Sequence, residues 1–365
     1  MFNMKKIIFC TNLPSPYRVD FFNEFGKYCD LTILYERHSS SERNDAWKGV
    51  KAINYKEIYL PLKLVGVDAS RGSALKDYIK GHQSDILIFT NYASPTIIEA
   101  ILWCRIHNRD YYIESDGGFF KEDPFFKGLL KKFLINGAIG HLTSSSEDIK
   151  YLKSIGVSND KIFKYPFTSI KQSDIESYKQ KALKGKDYYR NLLGMSEQKI
   201  VIAVGQFIHR KGFDVLIKAA THLDKDFGIY IIGGEPTNEY LQLLKSFQLE
   251  NVHFSGFQTK DKLVNYYLAA DCTAFPTRED IWGLITNESM AFGVPIVSTN
   301  KCISALEMID NGINGYVVPV EDAEALASSI KLAINNCSSD ACRSTAMDYT
   351  IETMVQKHIE YLKLD

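Results

Sequence analysis

Residues Cys272 to Thr299 read CTAFPTREDIWGLITNESMAFGVPIVST. A short apolar run, Cys272–Phe275, opens the stretch, and a β-branched run, Ile296–Ser298, closes it. Pro276 stops the first run, a polar loop leads to Gly283, and a helix-length segment follows from about Leu284 to the Gly293-Val294-Pro295 turn. Strand, helix and strand in that order read as two parallel strands joined by a crossover helix. The chain is therefore expected to be an α/β protein.

Working outward, the same alternation recurs on both sides. Ile200–Val204, Gly228–Ile232 and Val252–Phe254 precede the quoted stretch, and Tyr316–Val318 follows it. In the first half the strand candidates are Ile7–Cys10, Leu31–Tyr35, Ile86–Phe89, Tyr111–Glu114, Ile139–Thr143 and Lys161–Tyr165. Helical patterns separate most of them, as in Thr96–His107, where Ile97, Ile98, Ile101 and Leu102 recur at helical spacing. Two tandem α/β domains follow, each with a parallel sheet covered on both faces. Between them Ser169 to Lys199 is polar and Lys-rich, predicting a linker plus an exposed helix. The expected domains are 1–170 and 171–345. Residues 346–365 hold a helix whose stripe of Ile351, Val355, His358 and Leu362 needs an apolar partner in either domain, so it can pack back on the first.

The chain has 365 residues, 45% hydrophobic and 24% charged, with 43 Lys+Arg against 44 Asp+Glu. That composition excludes a disordered chain and a dedicated polyanion binder. Residues 1–170 hold 23 Lys+Arg against 19 Asp+Glu, and the remainder 20 against 25, so the near-zero total joins two halves of opposite sign. A mildly basic first half fits a protein resting on anionic lipid. No run approaches the eighteen apolar residues of a membrane span. Ile7-Ile8-Phe9 is too short for a signal-peptide core, and Met4 offers an alternative start. Seven scattered cysteines without Cys-x-x-Cys spacing point to a reducing cytoplasm.

In open α/β sheets, ligands bind beyond the carboxyl ends of the strands. The loops there are Asn12–Arg18 and Ser115–Gly118 in the first half. In the second they are Gly205–Gly212, Gly233–Pro236 and Pro276–Gly283. Both halves offer polar, Gly-bearing loops on the same edge, and a cleft between two such edges is the expected ligand site.

The stretch Pro276–Thr299 closely resembles the signature of glycosyltransferase family 4, with Asp280 and Glu288 at its two acidic positions. Further matches are Gly205 with Arg210-Lys211-Gly212-Phe213-Asp214, then Gly233-Gly234-Glu235-Pro236, then Glu307 with Asn311–Gly315. The first half resembles the family mainly through Pro14–Arg18. The resemblance implies a GT-B fold, two facing Rossmann-like domains around an interdomain cleft, and a retaining transfer of sugar from a nucleotide donor. It implies a C-terminal half that binds the donor and an N-terminal half that binds a saccharide or lipid-linked saccharide acceptor in surface-polysaccharide synthesis.

The chemistry suits these residues. Gly283 turns into a helix starting near Leu284, whose free N–H groups suit a diphosphate. Lys211 and Arg210 add positive charge where negative charge develops on the departing diphosphate. Glu288 is implied to accept the ribose hydroxyls and Asp280 to face the transferred sugar. Gly205, Gln206, Gly234 and Trp282 complete the expected donor site. Asp116, with Lys211 and Asp280, is expected at the reaction centre, where Asp116 orients the sugar or takes the acceptor's proton. Tyr17 and Arg18 are the expected acceptor contacts. Two departures stand out: Asp280 replaces the usual Glu, and Gln206 replaces an Arg, leaving phosphate neutralisation to Lys211 and Arg210.

Plainer readings exist for each residue. Asp280 and Glu288 alone are ordinary surface acids, and only the surrounding motif lifts them. Arg210 and Lys211 can be a solvated helix start, Asp116 a turn cap, Gly233-Gly234 simple turn chemistry, and Tyr17 and Arg18 a helix start. Asp224-Lys225-Asp226 precedes a strand at the wrong end for a metal site. With no clustered histidines, no metal and no cofactor beyond the nucleotide-sugar co-substrate are expected. No dinucleotide fingerprint, Walker loop or nucleophile elbow is present. From Pro124 the sequence PFFKGLLKKFLIN sets Phe125, Phe126, Leu129, Leu130, Phe133 and Leu134 on one helical face, away from Lys127, Lys131 and Lys132. Such a helix either packs on its sheet or lies in a membrane interface, with Phe125, Phe126, Lys131 and Lys132 in contact. Two rival functions stay open: a sugar-nucleotide 2-epimerase and a non-catalytic sugar-nucleotide-binding subunit.

Overall fold

The computed structural model describes residues 4–38, 51–65, 69–119 and 124–364. The strands are β1 (Lys6–Thr11), β2 (Asp30–Tyr35), β3 (Lys56–Tyr59), β4 (Lys63–Leu64), β5 (Ser70–Arg71), β6 (Ile86–Phe89), β7 (Tyr112–Ser115), β8 (Gly140–Thr143) and β9 (Ile162–Lys164). They continue with β10 (Lys199–Val204), β11 (Phe227–Ile232), β12 (Val252–Ser255), β13 (Cys272–Phe275), β14 (Ile296–Thr299) and β15 (Gly315–Val318).

Two compact units form, residues 1–169 with 351–365, and residues 170–350. Unit 1 holds a parallel seven-stranded sheet in the order β3-β2-β1-β6-β7-β8-β9, and unit 2 a parallel six-stranded sheet in the order β12-β11-β10-β13-β14-β15. Every strand read from the sequence is present to within a residue or so at its ends. The central strands are uninterrupted apolar runs because both faces are covered: Ile200, Val201, Ile202 and Ala203 of β10 have no exposed surface. Missing from the sequence reading are β3, an edge strand of half-exposed residues, and the antiparallel β4–β5 hairpin. Neither carries an apolar run.

Ser169–Lys199 is not a linker with an exposed helix, as its lysines suggested. It forms two helices, Gln172–Ala182 and Lys186–Leu193, both part of unit 2. Ile175, Tyr178 and Tyr189 are buried while the lysines stay in water. Arg190 anchors the second helix through Asp271, at 2.6 Å, and the Ala269 carbonyl.

The helix Ile351–Leu362 belongs to unit 1, and the chain returns there between Thr350 and Ile351, a few residues beyond 346. Ile351, Val355, His358 and Leu362 are all buried, and Tyr361 donates to the Lys164 carbonyl at 2.8 Å. The helix Phe125–Asn136 differs from a simple sheet-packing stripe. Only Leu134 and Ile135 are buried, whereas Phe125 is 74% and Phe126 83% exposed. Leu129, Leu130 and Phe133 are exposed too, so the apolar face is open rather than packed.

Candidate active site

In unit 2 the chain starts at the centre of the sheet with β10, runs outward through β11 and β12, then returns to the other side with β13. The loops leaving β10 and β13 therefore diverge from adjacent strands, at the switch point where doubly wound sheets bind ligands. These are the loops that carry Lys211 and Asp280.

The two loops are stitched together. Arg210 O accepts from Arg278 N at 2.8 Å and from Thr277 Oγ1 at 3.0 Å, and Arg210 Nη1 donates to Glu279 O at 2.9 Å. A short 3₁₀ turn, His209–Lys211, ends on Gly212 at φ +68, where a Cβ would stand 2.0 Å from Pro276 O. Only glycine permits both that backbone and that approach. Lys211 Nζ lies 2.6 Å from Asp280 Oδ2, and Arg210 Nη1 3.3 Å from the same oxygen. Lys211 also stands 4.8 Å over the Phe275 ring. Gly233 of the β11 loop closes the group, since a Cβ there would fall 2.3 Å from Gly205 O. Gly234 packs beside Phe207, and Gln206 is exposed.

Arg278 was not anticipated. It makes a bidentate pair with Asp214 at 2.9 and 2.8 Å, reaches Glu321, and donates to His209 O at 2.5 Å. Burial opposes the Asp214 charge, but the Arg278 pairing holds its carboxyl below the usual range. Arg278 thereby fixes the backbone just before Lys211. Its place inside the motif gave no sign of this, because its partners lie 43 to 69 residues away.

The second acid is reached differently from its spacing. Asp280 bridges to Cys302, and the helix Ile285–Phe292 begins only after Leu284, so the seven residues between Asp280 and Glu288 are not two continuous helical turns. Gly283 makes the turn at φ +89, where a Cβ would meet Cys302 Sγ at 2.7 Å. Glu288 sits in the first turn of this helix, with Tyr267 Oη donating to its Oε2 at 2.9 Å. Burial pushes its carboxyl up, against the pull of the Tyr267 hydrogen bond and Lys260. Trp282 does not offer its ring to a ligand. It is buried, with Nε1 donating to Asn287 Oδ1 at 2.8 Å.

In unit 1, Tyr17 and Arg18 lie on the helix Pro16–Phe25 that follows β1. Arg18 is buried and paired with both Glu114 and Asp116, and its guanidinium stands 5.5 Å over the Phe167 ring. Tyr165 Oη donates to Glu114 at 3.2 Å, and His358 Nε2 lies 3.2 Å from the other Glu114 oxygen. Burial would raise Glu114, but Arg18 and His358 bring its carboxyl down to about 2. Asp116 keeps a third of its side chain exposed. The structure thus joins Arg18 to Asp116 as one ion cluster, where the sequence treated them as separate functions. Tyr17 packs edge-on to Phe167 at 5.5 Å.

Residues 188–346 match the family model of glycosyl transferases group 1. An uncharacterized glycosyltransferase of Haemophilus influenzae is 30% identical over 178 residues, 46% of this chain and 50% of that protein. A GDP-mannose-dependent alpha-(1-6)-phosphatidylinositol monomannoside mannosyltransferase of Mycolicibacterium smegmatis is 30% identical over 170 residues, 43% of each chain. The chain spans about half the length of the curated relatives it matches. Among solved structures, Anabaena HepE in complex with UDP and glucose superposes with a TM-score of 0.70 at 16% identity, covering 98% of this chain and 99% of that one. Two Rossmann-like units with parallel sheets are the architecture of GT-B glycosyltransferase structures, and this chain has it.

Proposed function

We propose, from a group 1 glycosyl transferase domain over residues 188–346, that the chain is a retaining glycosyltransferase. It would move a sugar from a nucleoside-diphosphate donor to a hydroxyl of a glycan or lipid-linked saccharide. The observation that carries this reading is the stitched pair of loops at the unit 2 switch point. There Lys211 and Arg210 converge on Asp280 beside the carboxyl ends of β10 and β13.

Placed there, a donor's diphosphate meets Lys211 and Arg210 while its sugar lies along Asp280. The bond between the anomeric carbon and the phosphate oxygen breaks, with its electron pair leaving on the diphosphate. The acceptor oxygen bonds to the same carbon on the same face, and its proton passes to the departing phosphate. The cationic pair stabilises that negative charge as it grows. Glu288 holds the ribose, and Asp116 with its Arg18 cluster serves the acceptor. Trp282 is dropped from the donor contacts because its ring is in the core.

The apolar face of the helix Phe125–Asn136 supports contact with an anionic membrane surface. Exposed Phe125 and Phe126 supply the wedge, and Lys127, Lys131 and Lys132 the complementary charge. No helix among the described residues is long and apolar enough to cross a membrane. The reading is of an enzyme working at the cytoplasmic face on acceptors held there.

The test is a thermal-shift screen of UDP-, GDP- and ADP-sugars, followed by transfer assays with saccharide and lipid-linked acceptors. A donor at about 100 times its Kd adds about 2.7 kcal/mol to stability. Product whose new linkage keeps the donor's anomeric configuration supports the proposal. Conversion of the sugar nucleotide without acceptor would point instead to an epimerase, and binding without turnover to a non-catalytic subunit.

A further inference from the structure

We infer that Tyr267 is a positioning residue for the donor site, locking the Glu288 carboxylate so that one oxygen stays turned to a ligand. The inference rests on the reading of Glu288 as the carboxylate that holds the nucleotide ribose. Tyr267 lies on the helix Lys260–Ala269, which precedes β13, and only 1% of it is exposed. Its hydroxyl donates to Glu288 Oε2 at 2.9 Å. Glu288 Oε1 has no hydrogen-bond donor among the described residues, and the Glu288 side chain is not sealed from solvent.

The phenol is itself held. The Tyr267 and Phe292 rings stack at 4.7 Å with an interplanar angle of 6°, and Tyr178 stacks on Phe292 at 3.8 Å and 15°. Phe292 and Glu288 share the helix Ile285–Phe292, one turn apart. The aromatic stack therefore sets the distance between the two helices at the turn where the carboxylate stands. An ordinary surface glutamate samples several rotamers, and a ligand must freeze them. Here that ordering is done in the fold, which raises affinity without a new ligand contact.

The same hydrogen bond governs charge. Glu288 accepts ribose hydroxyls fully only as the anion. Burial works against that form, and Tyr267 and Lys260 favour it. The groups facing the carboxylate are Tyr267 and Lys260 on one helix and Tyr178 on another, with Lys260 4.0 Å from Asp174. Removing the phenolic donor shifts the balance toward the protonated form. Binding that needs the anion is present above the carboxyl's pKa and fades on acidification, so it fades at a higher pH without Tyr267.

The experiment measures binding of UDP, GDP and ADP by calorimetry, then follows the tightest of the three through Tyr267→Phe, Glu288→Gln and the double variant between pH 5 and 8. Tyr267→Phe keeps the ring and its stacking, so the ligand-free melting temperature should stay near wild type. We expect its Kd to rise about tenfold at pH 7, the loss of one hydrogen bond to a charged group. The acid limb of its binding profile should move to higher pH, and the double variant should bind no worse than Glu288→Gln alone. A normal Kd and pH profile for Tyr267→Phe, with Glu288→Gln impaired, overturns the positioning role and leaves the ribose reading standing. Normal binding by Glu288→Gln overturns both. A purely structural tyrosine would lower the melting temperature and leave the pH limb in place.

Discussion

Lys211 Nζ and Asp280 Oδ2 stand 2.6 Å apart, joining the loop after β10 to the loop after β13, and each side chain is 14% exposed. With Arg210 3.3 Å from the same carboxylate oxygen, one anion holds two cations at the switch point of the sheet. On the proposed reading, the donor's diphosphate entering there competes with Asp280 for the lysine. The pair thus keeps Lys211 extended toward the site while nothing is bound. Its energy is modest, because water still reaches it, and its value lies in placement.

On the proposed reading, replacing Lys211 with Ala removes a positive charge aimed at the departing diphosphate. Turnover should fall about 100-fold or more, the usual effect of deleting one such donor, while the Kd for nucleoside diphosphate changes far less. Stopped-assay kcat beside calorimetric Kd separates the two. A kcat within a few-fold of wild type would sink the assignment. Asp280→Asn should also lower kcat, since it frees Lys211 from its anchor, and Asp280→Glu tests whether the longer acid can serve in its place.

Gly212 carries a geometric demand that no other residue meets. At φ +68, with a Cβ position 2.0 Å from Pro276 O, alanine forces apart the two loops that hold Lys211 and Asp280. Strain of this kind costs about 1–3 kcal/mol. Gly212→Ala should lower the melting temperature by several degrees and abolish the stabilisation given by nucleoside diphosphates. Gly81→Ala, where a Cβ meets nothing within 4 Å, is the control and should leave both unchanged. Equal behaviour of the two variants would show that the loop contact is dispensable.

The open face of the helix Phe125–Asn136 makes a separate expectation. Co-flotation with vesicles containing anionic phosphatidylglycerol should exceed that with neutral phosphatidylcholine, and salt should weaken it. Replacing both Phe125 and Phe126 with Ser should cut partitioning about tenfold or more with no change in fold, because neither ring is packed in the core. Vesicle binding that survives the double substitution would place the contact elsewhere.

How much of this was legible depended on whether the cause was local. The strands declared themselves because β-branched runs bounded by turns have one economical home, a parallel sheet buried on both faces. The Lys211 and Asp280 loops could be read because their glycines and charges are contiguous. Arg18 could not be paired correctly, since Glu114 and Asp116 lie 96 and 98 residues away and join it only through the β1–β6–β7 order. Tyr267 and Glu288 meet across two helices, which spacing does not encode. Trp282 lies within the same motif, but its ring is in the core, which its place in the motif does not reveal. The lysines of 171–186 suggested a linker because composition reports the wet face of a helix and hides the buried Ile175 and Tyr178.

The Arg18 cluster gives the last expectation, in stability rather than rate. Glu114 is fully buried, and its carboxyl is held at about 2 in the fold by Arg18 and His358, against an ordinary value of 4.5. In acid the unfolded chain therefore takes up this proton first. The stability gained from the pairing is fully present above about pH 4.5 and drains away as pH falls toward 2. In Glu114→Gln that term is absent. The variant should be less stable than wild type by a few kcal/mol at pH 7, since a buried arginine loses a charged partner. The gap should hold down to about pH 4.5 and narrow below it. Urea titrations at pH 7, 5, 4 and 3 measure this directly. A gap that stays constant to pH 3 would mean the carboxylate is not the charged partner of Arg18, and its contacts with Tyr165 and His358 would have to account for the loss.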